Sequence, residues 1–266
     1  STDRGDSWTV ISPDLTTNTN RDTVVTMGLK GADITISKND GIVSYSTIVA
    51  IGESKKQPGV LYAGTDDGVL SVTRDGGKAW NNVTANVPGM PMWGSVRHVE
   101  PGRHDAATAY IINDAHQEND RAPYVYRTHD FGKTWTKIVN GLPNVPMGYA
   151  HIIREDPVRK GLLYLGTENA IYVSFDDGDH WQSLNLNLPA APVYGMTIEP
   201  RFNDLVIATS IEFDNGRNLD APHSEERMTA RRESGCTVDH ALTVDEQATG
   251  TDLDERHDVL PTRLDA

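Results

Sequence analysis

Apolar residues fall along this chain in short runs of about four to seven, rich in Val, Ile, Tyr and Thr and bounded by Gly, Pro, Asn and Asp, which is the signature of strands. LYAGT (Leu61 to Thr65) leads into VLSVT (Val69 to Thr73), and LYLGT (Leu163 to Thr167) leads into AIYVS (Ala170 to Ser174). Stretches such as HIIRE and GMTIE run into Pro-bounded turns at Glu100-Pro101, Asp156-Pro157 and Glu199-Pro200. Helix signals are nearly absent. The pattern predicts an all-β chain of repeated short strands.

One turn sequence recurs four times, over residues 1–8, 73–80, 128–135 and 174–181. Each copy opens on Ser or Thr, followed at fixed offsets by an Asp (Asp3, Asp75, Asp130, Asp176), a Gly (Gly5, Gly77, Gly132, Gly178) and a Trp (Trp8, Trp80, Trp135, Trp181). Four of the chain's five tryptophans lie in it, so chance is a poor explanation. The three later copies are followed at identical spacing by Val83, Ile138 or Leu184 and then by Val87-Pro88, Leu142-Pro143 or Leu188-Pro189. The glycine supplies a positive φ without steric cost, and the Asp two positions earlier can fold its carboxylate onto free N–H groups of the turn. The Trp then offers a large apolar area to pack between neighbouring sheets. Successive tryptophans are 72, 55 and 46 residues apart, and the last two intervals are close to the roughly 40–50 residues of a four-stranded propeller blade. The longer first interval predicts an insertion between Asp14 and Asp40.

Composition narrows the partners. The chain has 266 residues, with 24 Lys and Arg against 38 Asp and Glu, a net charge of −14 that argues against nucleic acid. No stretch approaches the roughly 18 apolar residues of a spanning helix. Cys236 is the only cysteine, so an internal disulfide and a cysteine-based zinc site are both excluded.

The recurrent turn resembles the Asp-box, or bacterial neuraminidase repeat. Residues 1–209 are similar to the sortilin-like and glycosyl-hydrolase-like propeller proteins of bacteria in WTVISPDLT (Trp8 to Thr16), YAGTDDG (Tyr62 to Gly68), PYVYRTHDFGKTW (Pro123 to Trp135), REDPVRKGLLYLGTE (Arg154 to Glu168) and VSFDDGDHWQSL (Val173 to Leu184). The resemblance implies a secreted or periplasmic protein, although STDRGDSW has neither the basic start nor the apolar core of a signal peptide. It implies a propeller that binds a protein, peptide or glycan through blade-end loops. The alternative is a sialidase- or xyloglucanase-like glycoside hydrolase with catalytic acids partly outside this stretch. The Asp-box identifies a fold better than a function. Residue 1 already lies inside a copy of the turn, so an open arc is expected, with missing blades of the same propeller among its partners.

A glycosidase needs two carboxylates about 5–10 Å apart across the scissile bond. Asp3, Asp75, Asp130 and Asp176 recur once per unit, as do Glu100, Glu199 and the Glu155-Asp156 pair at another turn, and recurrence points to structural work. The sequence groups no three arginines as a sialidase would require, and Tyr62, Tyr126 and Tyr164 lie at strand positions where packing explains them. No nucleophile elbow, phosphate-binding loop or zinc helix occurs. One segment, residues 111–121, breaks the repeat. Its Asp114, His116, Glu118 and Asp120 alternate, so in an extended loop they would converge on a hard cation such as Ca²⁺ or on glycan hydroxyls; otherwise they are a solvated loop. No resident metal or cofactor is expected beyond that candidate Ca²⁺. Met90, Met92 and Trp93 are read as inter-blade packing, with a sugar- or peptide-binding surface as the alternative.

Residues 210–266 depart from the pattern. They carry 14 acidic and 6 basic residues, one aromatic and no Lys. Few large apolar groups and many charges predict a largely disordered tail, one that cannot bury enough surface to offset chain entropy. Such a tail is either an acidic extension or an out-of-frame translation, and the latter is favoured because Arg occurs without Lys.

Overall fold

A computed structural model describes residues 1, 3–26, 28–36, 45–185, 188, 190–199, 201, 203–209 and 237–242. The chain is all-β apart from short 3-10 turns, and among the described residues no helix is long and apolar enough to cross a membrane. A small hairpin, β1 (Val25–Thr26) and β2 (Leu29–Lys30), occupies part of the long first interval. Three four-stranded antiparallel meanders follow. The first blade is β3 (Ile48–Glu53), β4 (Leu61–Thr65), β5 (Leu70–Thr73) and β6 (Asn81–Asn82). The second is β7 (Ser95–Pro101), β8 (Ala109–Asp114), β9 (Tyr124–Thr128) and β10 (Thr136–Lys137). The third is β11 (Ala150–Glu155), β12 (Leu163–Thr167), β13 (Ile171–Ser174) and β14 (Gln182–Ser183). A fourth sheet contains β15 (Val193–Glu199), β16 (Asp204–Thr209) and β17 (Thr237–Leu242).

These sheets are blades of a β-propeller, set so that β3, β7, β11 and β15 touch in succession along the concave side. Three apolar cores lie between successive blades. The incoming face of β3 has no preceding blade among the described residues, and Val49 and Ile51 are exposed there. Within the acidic segment, Thr237–Leu242 pairs antiparallel with β16 as the third strand of the last sheet. Cys236 and the rest of 210–266 lie outside the described residues, as do Pro189, Pro200 and residues 37–44 of the anticipated insertion.

The three later recurrent turns join the third and fourth strands of their blades, and all four copies share one hydrogen-bond set. In the second copy Thr73 Oγ1 donates to Asp75 Oδ1 (2.8 Å) and accepts from Gly77 N (3.0 Å), while Asp75 Oδ1 accepts from Ala79 N (3.0 Å). The same bonds recur in the other copies through Asp3, Asp130 and Asp176. The four glycines have φ between 82° and 103°. Each of the three later turns also locks onto the chain segment before it. A Cβ on Gly77 would lie 2.4 Å from Ile11 O, one on Gly132 3.3 Å from Val83 Cγ2, and one on Gly178 2.5 Å from Ile138 Cδ1, whereas nothing lies within 4 Å of Gly5. The Trp completes the interlock: Trp80 Nε1 donates to Ile11 O (2.9 Å) and Trp181 Nε1 to Ile138 O (3.0 Å). Trp135 makes this contact by packing alone, its Nε1 buried without a partner among the described residues.

The four turn carboxyls lie below their usual 3.8. In Asp3 and Asp75 the turn hydrogen bonds dominate. In Asp130 and Asp176 burial pushes upward first, and the bonds outweigh it, holding Asp176 at about 2. A folded pKa below the unfolded one gives stability that is present above 3.8 and lost as pH falls through the folded value. The urea midpoint is therefore expected to drop from about pH 4 towards about pH 2, and to drop less in a variant carrying Asp75→Asn, Asp130→Asn and Asp176→Asn. Equal drops would contradict this account.

Candidate functional site

Each innermost strand carries a register shift at the same place, between Ile48 and Ala50, Val96 and His98, Ala150 and Ile152, and Val193 and Gly195. A bulge leaves one residue outside the ladder and re-aims it. The residues so placed are Val49, Arg97, His151 and Tyr194, which unlike the turn residues share no chemistry. Strand direction puts these bulges at the end of the arc opposite the recurrent turns, since β4 reaches them at Thr65 and β5 leaves them for Thr73.

Around the bulges a row of rings and charges crosses three blades. The His116 ring stacks on Tyr149 (centroids 4.8 Å apart, planes at 19°). Tyr149 meets His151 edge-on at 5.2 Å, and His151 lies 4.4 Å from the Tyr194 ring. Two carboxylates flank the rings. Asp114 is buried at the end of β8 and accepts from Arg97 Nη1 (2.9 Å), His116 N (3.1 Å) and His116 Nδ1 (2.7 Å). Burial raises its pKa, but the two bonds from His116 and the one from Arg97 outweigh that, and the carboxyl stays below its usual range. Glu168 accepts from His151 Nε2 (2.7 Å) and Tyr194 Oη (3.2 Å). His151 is buried, and burial lowers its pKa despite that carboxylate. With Nε2–H assigned as the donor to Glu168, its Nδ1 is a bare acceptor, buried without a partner among the described residues.

Of the four residues anticipated in the 111–121 segment, the structure brings only Asp114 and His116 into this row. The chain leaves β8 in a 3-10 turn, His116–Glu118, ended by left-handed Asn119 (φ 63°), so the alternation of an extended loop never develops. Glu118 is exposed, and Asp120 is engaged by Tyr124 Oη (2.6 Å) and Ala122 N (3.1 Å). Among the described residues no three His, Cys, Asp or Glu side chains are grouped to hold a metal ion. Met90 packs on the core between the first two blades. Met92 and Trp93 do not; they are exposed, because the Met92 backbone lies against the β4–β5 turn, its carbonyl 2.8 Å from where a Gly68 Cβ would sit. Sequence reading passed over Arg97, Tyr149, His151, Glu168 and Tyr194. Aligning the four innermost strands and asking where chemistry changes most would have found the bulge residues.

Three of the other recurring acids bond backbone N–H groups, whereas Glu100 pairs with the side chains of Arg103 and Arg154. Glu155 accepts from Arg103 N (2.5 Å), Asp156 from Val158 N (2.8 Å) and Arg159 N (2.7 Å), and Glu199 from Arg201 N (2.8 Å). Burial raises the Glu155 carboxyl, but it lies at the end of the arc away from the row.

No family model matches the chain, and no curated protein matches its sequence. Among solved structures it is similar to an ancestral GH74 enzyme at 15% identity and a TM-score of 0.50, over 62% of this chain and 22% of that one. It is also similar to the GH74 enzyme of Niastella koreensis (14% identity, TM-score 0.47, 62% of this chain and 26% of that one) and to YCF48 bound to D1 peptide (18%, 0.45, 63% and 52%). The chain thus spans about a quarter of the length of the GH74 enzymes and about half that of YCF48. At these identities the likeness is one of fold, the β-propeller.

Proposed function

We propose that this chain is part of an exported propeller interaction module that binds a protein, peptide or glycan across the bulge end of its blades, with its recurrent turns acting as Asp-boxes. The observation that carries the reading is the segregation of the two ends. The residues that repeat hold the blades together at one end, while the residues that do not repeat, Arg97, His151 and Tyr194, gather with Asp114, His116, Tyr149 and Glu168 at the other. Rings with polar edges, a guanidinium and two carboxylates can stack on a ligand and hydrogen-bond its rim. Exposed Met92 and Trp93 flank the same end. The GH74 and YCF48 likenesses are compatible with a glycan or a peptide and choose neither.

Glycoside hydrolysis is the second reading, with Asp114 and Glu168 on adjacent blades as the carboxylate pair. A general acid needs a raised pKa, and Asp114, held down by its three donors, does not supply one. The test is a glycan array and a peptide library probed with the full chain. Capture of a specific glycan or peptide, lost in Tyr149→Ala and Tyr194→Ala, is expected. Capture that both variants retain, or none at all, would overturn the reading. Turnover of a polysaccharide that stops in Asp114→Asn would replace it with the hydrolase.

A further inference from the structure

Along the concave side, below the row, a cleft of about 520 Å³ is lined by Lys55, Arg97, Arg103 and Arg154 against only Glu53 and Glu100. Arg97 is paired with buried Asp114, so three cations face two anions, still the reverse of the balance of a chain whose net charge is −14. The cations come from separate blades: Lys55 follows β3, Arg97 and Arg103 sit on and just after β7, and Arg154 lies on β11. No sequence motif brings them together; the approach of the innermost strands does.

The hydrogen bonds leave donors over. Glu100 is the shared counter-ion, its Oε1 accepting from Arg103 Nε (3.1 Å) and its Oε2 from Arg154 Nη1 (2.9 Å). Arg154 Nε donates to Met196 O (3.0 Å). Arg103 Nη1 and Nη2, Arg154 Nη2 and the Lys55 ammonium have no partner among the described residues. Both guanidinium side chains are only about one-fifth exposed, at 19% and 23%, so their charge is partly withdrawn from water. Burial, and after it the Arg154 charge, push the neighbouring His98 down to about 3. Val99 and Met196 add apolar lining, which strengthens a charge-assisted bond in the cleft.

We propose that this cleft binds one compact oxyanion, a carboxylate or a phosphate group, with Arg103 and Arg154 as fixed donors and Lys55 as the charge that draws the anion in. A guanidinium fork matches either group. The chain's net charge of −14 disfavours an extended polyanion, so selection is for a single anionic group on a small molecule or a chain end. Arg97 stands at the rim shared with the row, but the anion donors lie deeper, so the two sites are separable.

The experiment titrates the full chain at low ionic strength with inorganic phosphate and, separately, with acetate, read by calorimetry and by amide shifts. Saturable binding is expected, weakened on the order of tenfold in Arg103→Gln, the worth of a charge-assisted bond, weakened also by added NaCl and in Lys55→Gln, and unchanged in Lys160→Gln. Lys55 is exposed, so its variant keeps the test valid if Arg103→Gln perturbs folding. Tighter phosphate than acetate assigns a phosphoryl ligand, and the reverse assigns a carboxylate. The proposal is overturned if neither anion saturates, or if affinity is the same in Arg103→Gln, Lys55→Gln and the parent.

Discussion

Trp181→Ala is expected to lower the unfolding free energy by about 3–5 kcal/mol, whereas Trp8→Ala, the same change at the same place in the same repeat, should stay within about 0.5 kcal/mol. The difference lies in the neighbouring blade. Trp181 is 4% exposed, sits in the core between the second and third blades, and ties Ile138 O through its indole N–H. Removing it opens a cavity against Ile138 and leaves a carbonyl short of a donor. Trp8 is 81% exposed, with no earlier blade among the described residues to receive it. Against a total stability of about 5–15 kcal/mol, the first substitution removes a large share. Urea unfolding followed by circular dichroism avoids reporting through the substituted tryptophan. Equal losses in the two variants would mean that the interlock does not hold the blades together.

Gly64→Ala is the second large effect, about 3 kcal/mol, near the upper end for overpacking. Gly64 lies on β4 where β7 of the next blade comes closest, and a Cβ there would stand 2.5 Å from Val96 O and 2.6 Å from Val96 Cγ1. Backbone cannot swing aside as a flexible side chain can. Gly166 meets Val193 in the same way two interfaces later, between the third and fourth sheets, at 2.7 Å. Gly76→Ala is the control. Its φ is +74° with nothing within 4 Å, so only the conformational penalty of about 1–2 kcal/mol applies. Unfolding midpoints in urea separate the two cases, and a Gly64→Ala loss no larger than that of Gly76→Ala would contradict the close approach.

The repeats made most of the fold legible, because each blade needs the same few contacts. A Gly at positive φ, an Asp that gathers the turn N–H groups and a Trp that reaches the preceding blade must recur wherever the contact recurs, and their spacing exposes the blade length. The row of rings and charges was hidden for a matching reason. A bulge shifts register without changing composition, so Arg97, His151 and Tyr194 read as ordinary strand residues until their pairing is known. Asp114 and His116 were visible because they interrupt the repeat. Glu118 and Asp120 were drawn in with them by an alternation that left-handed Asn119 breaks. Met92 and Trp93 were read as inter-blade packing, and only the path of the chain over Gly68 shows them outside.

The central claim is that the recurrent end holds the blades and the variable end binds. It is tested most directly by pairing a urea midpoint with a binding measurement on Tyr194→Ala, using the glycan or peptide captured by the parent chain. Tyr194 is 48% exposed, so the account predicts a midpoint within about 0.5 kcal/mol of the parent together with loss of binding. A lowered midpoint with binding intact would contradict it, placing Tyr194 among the residues that hold the blades.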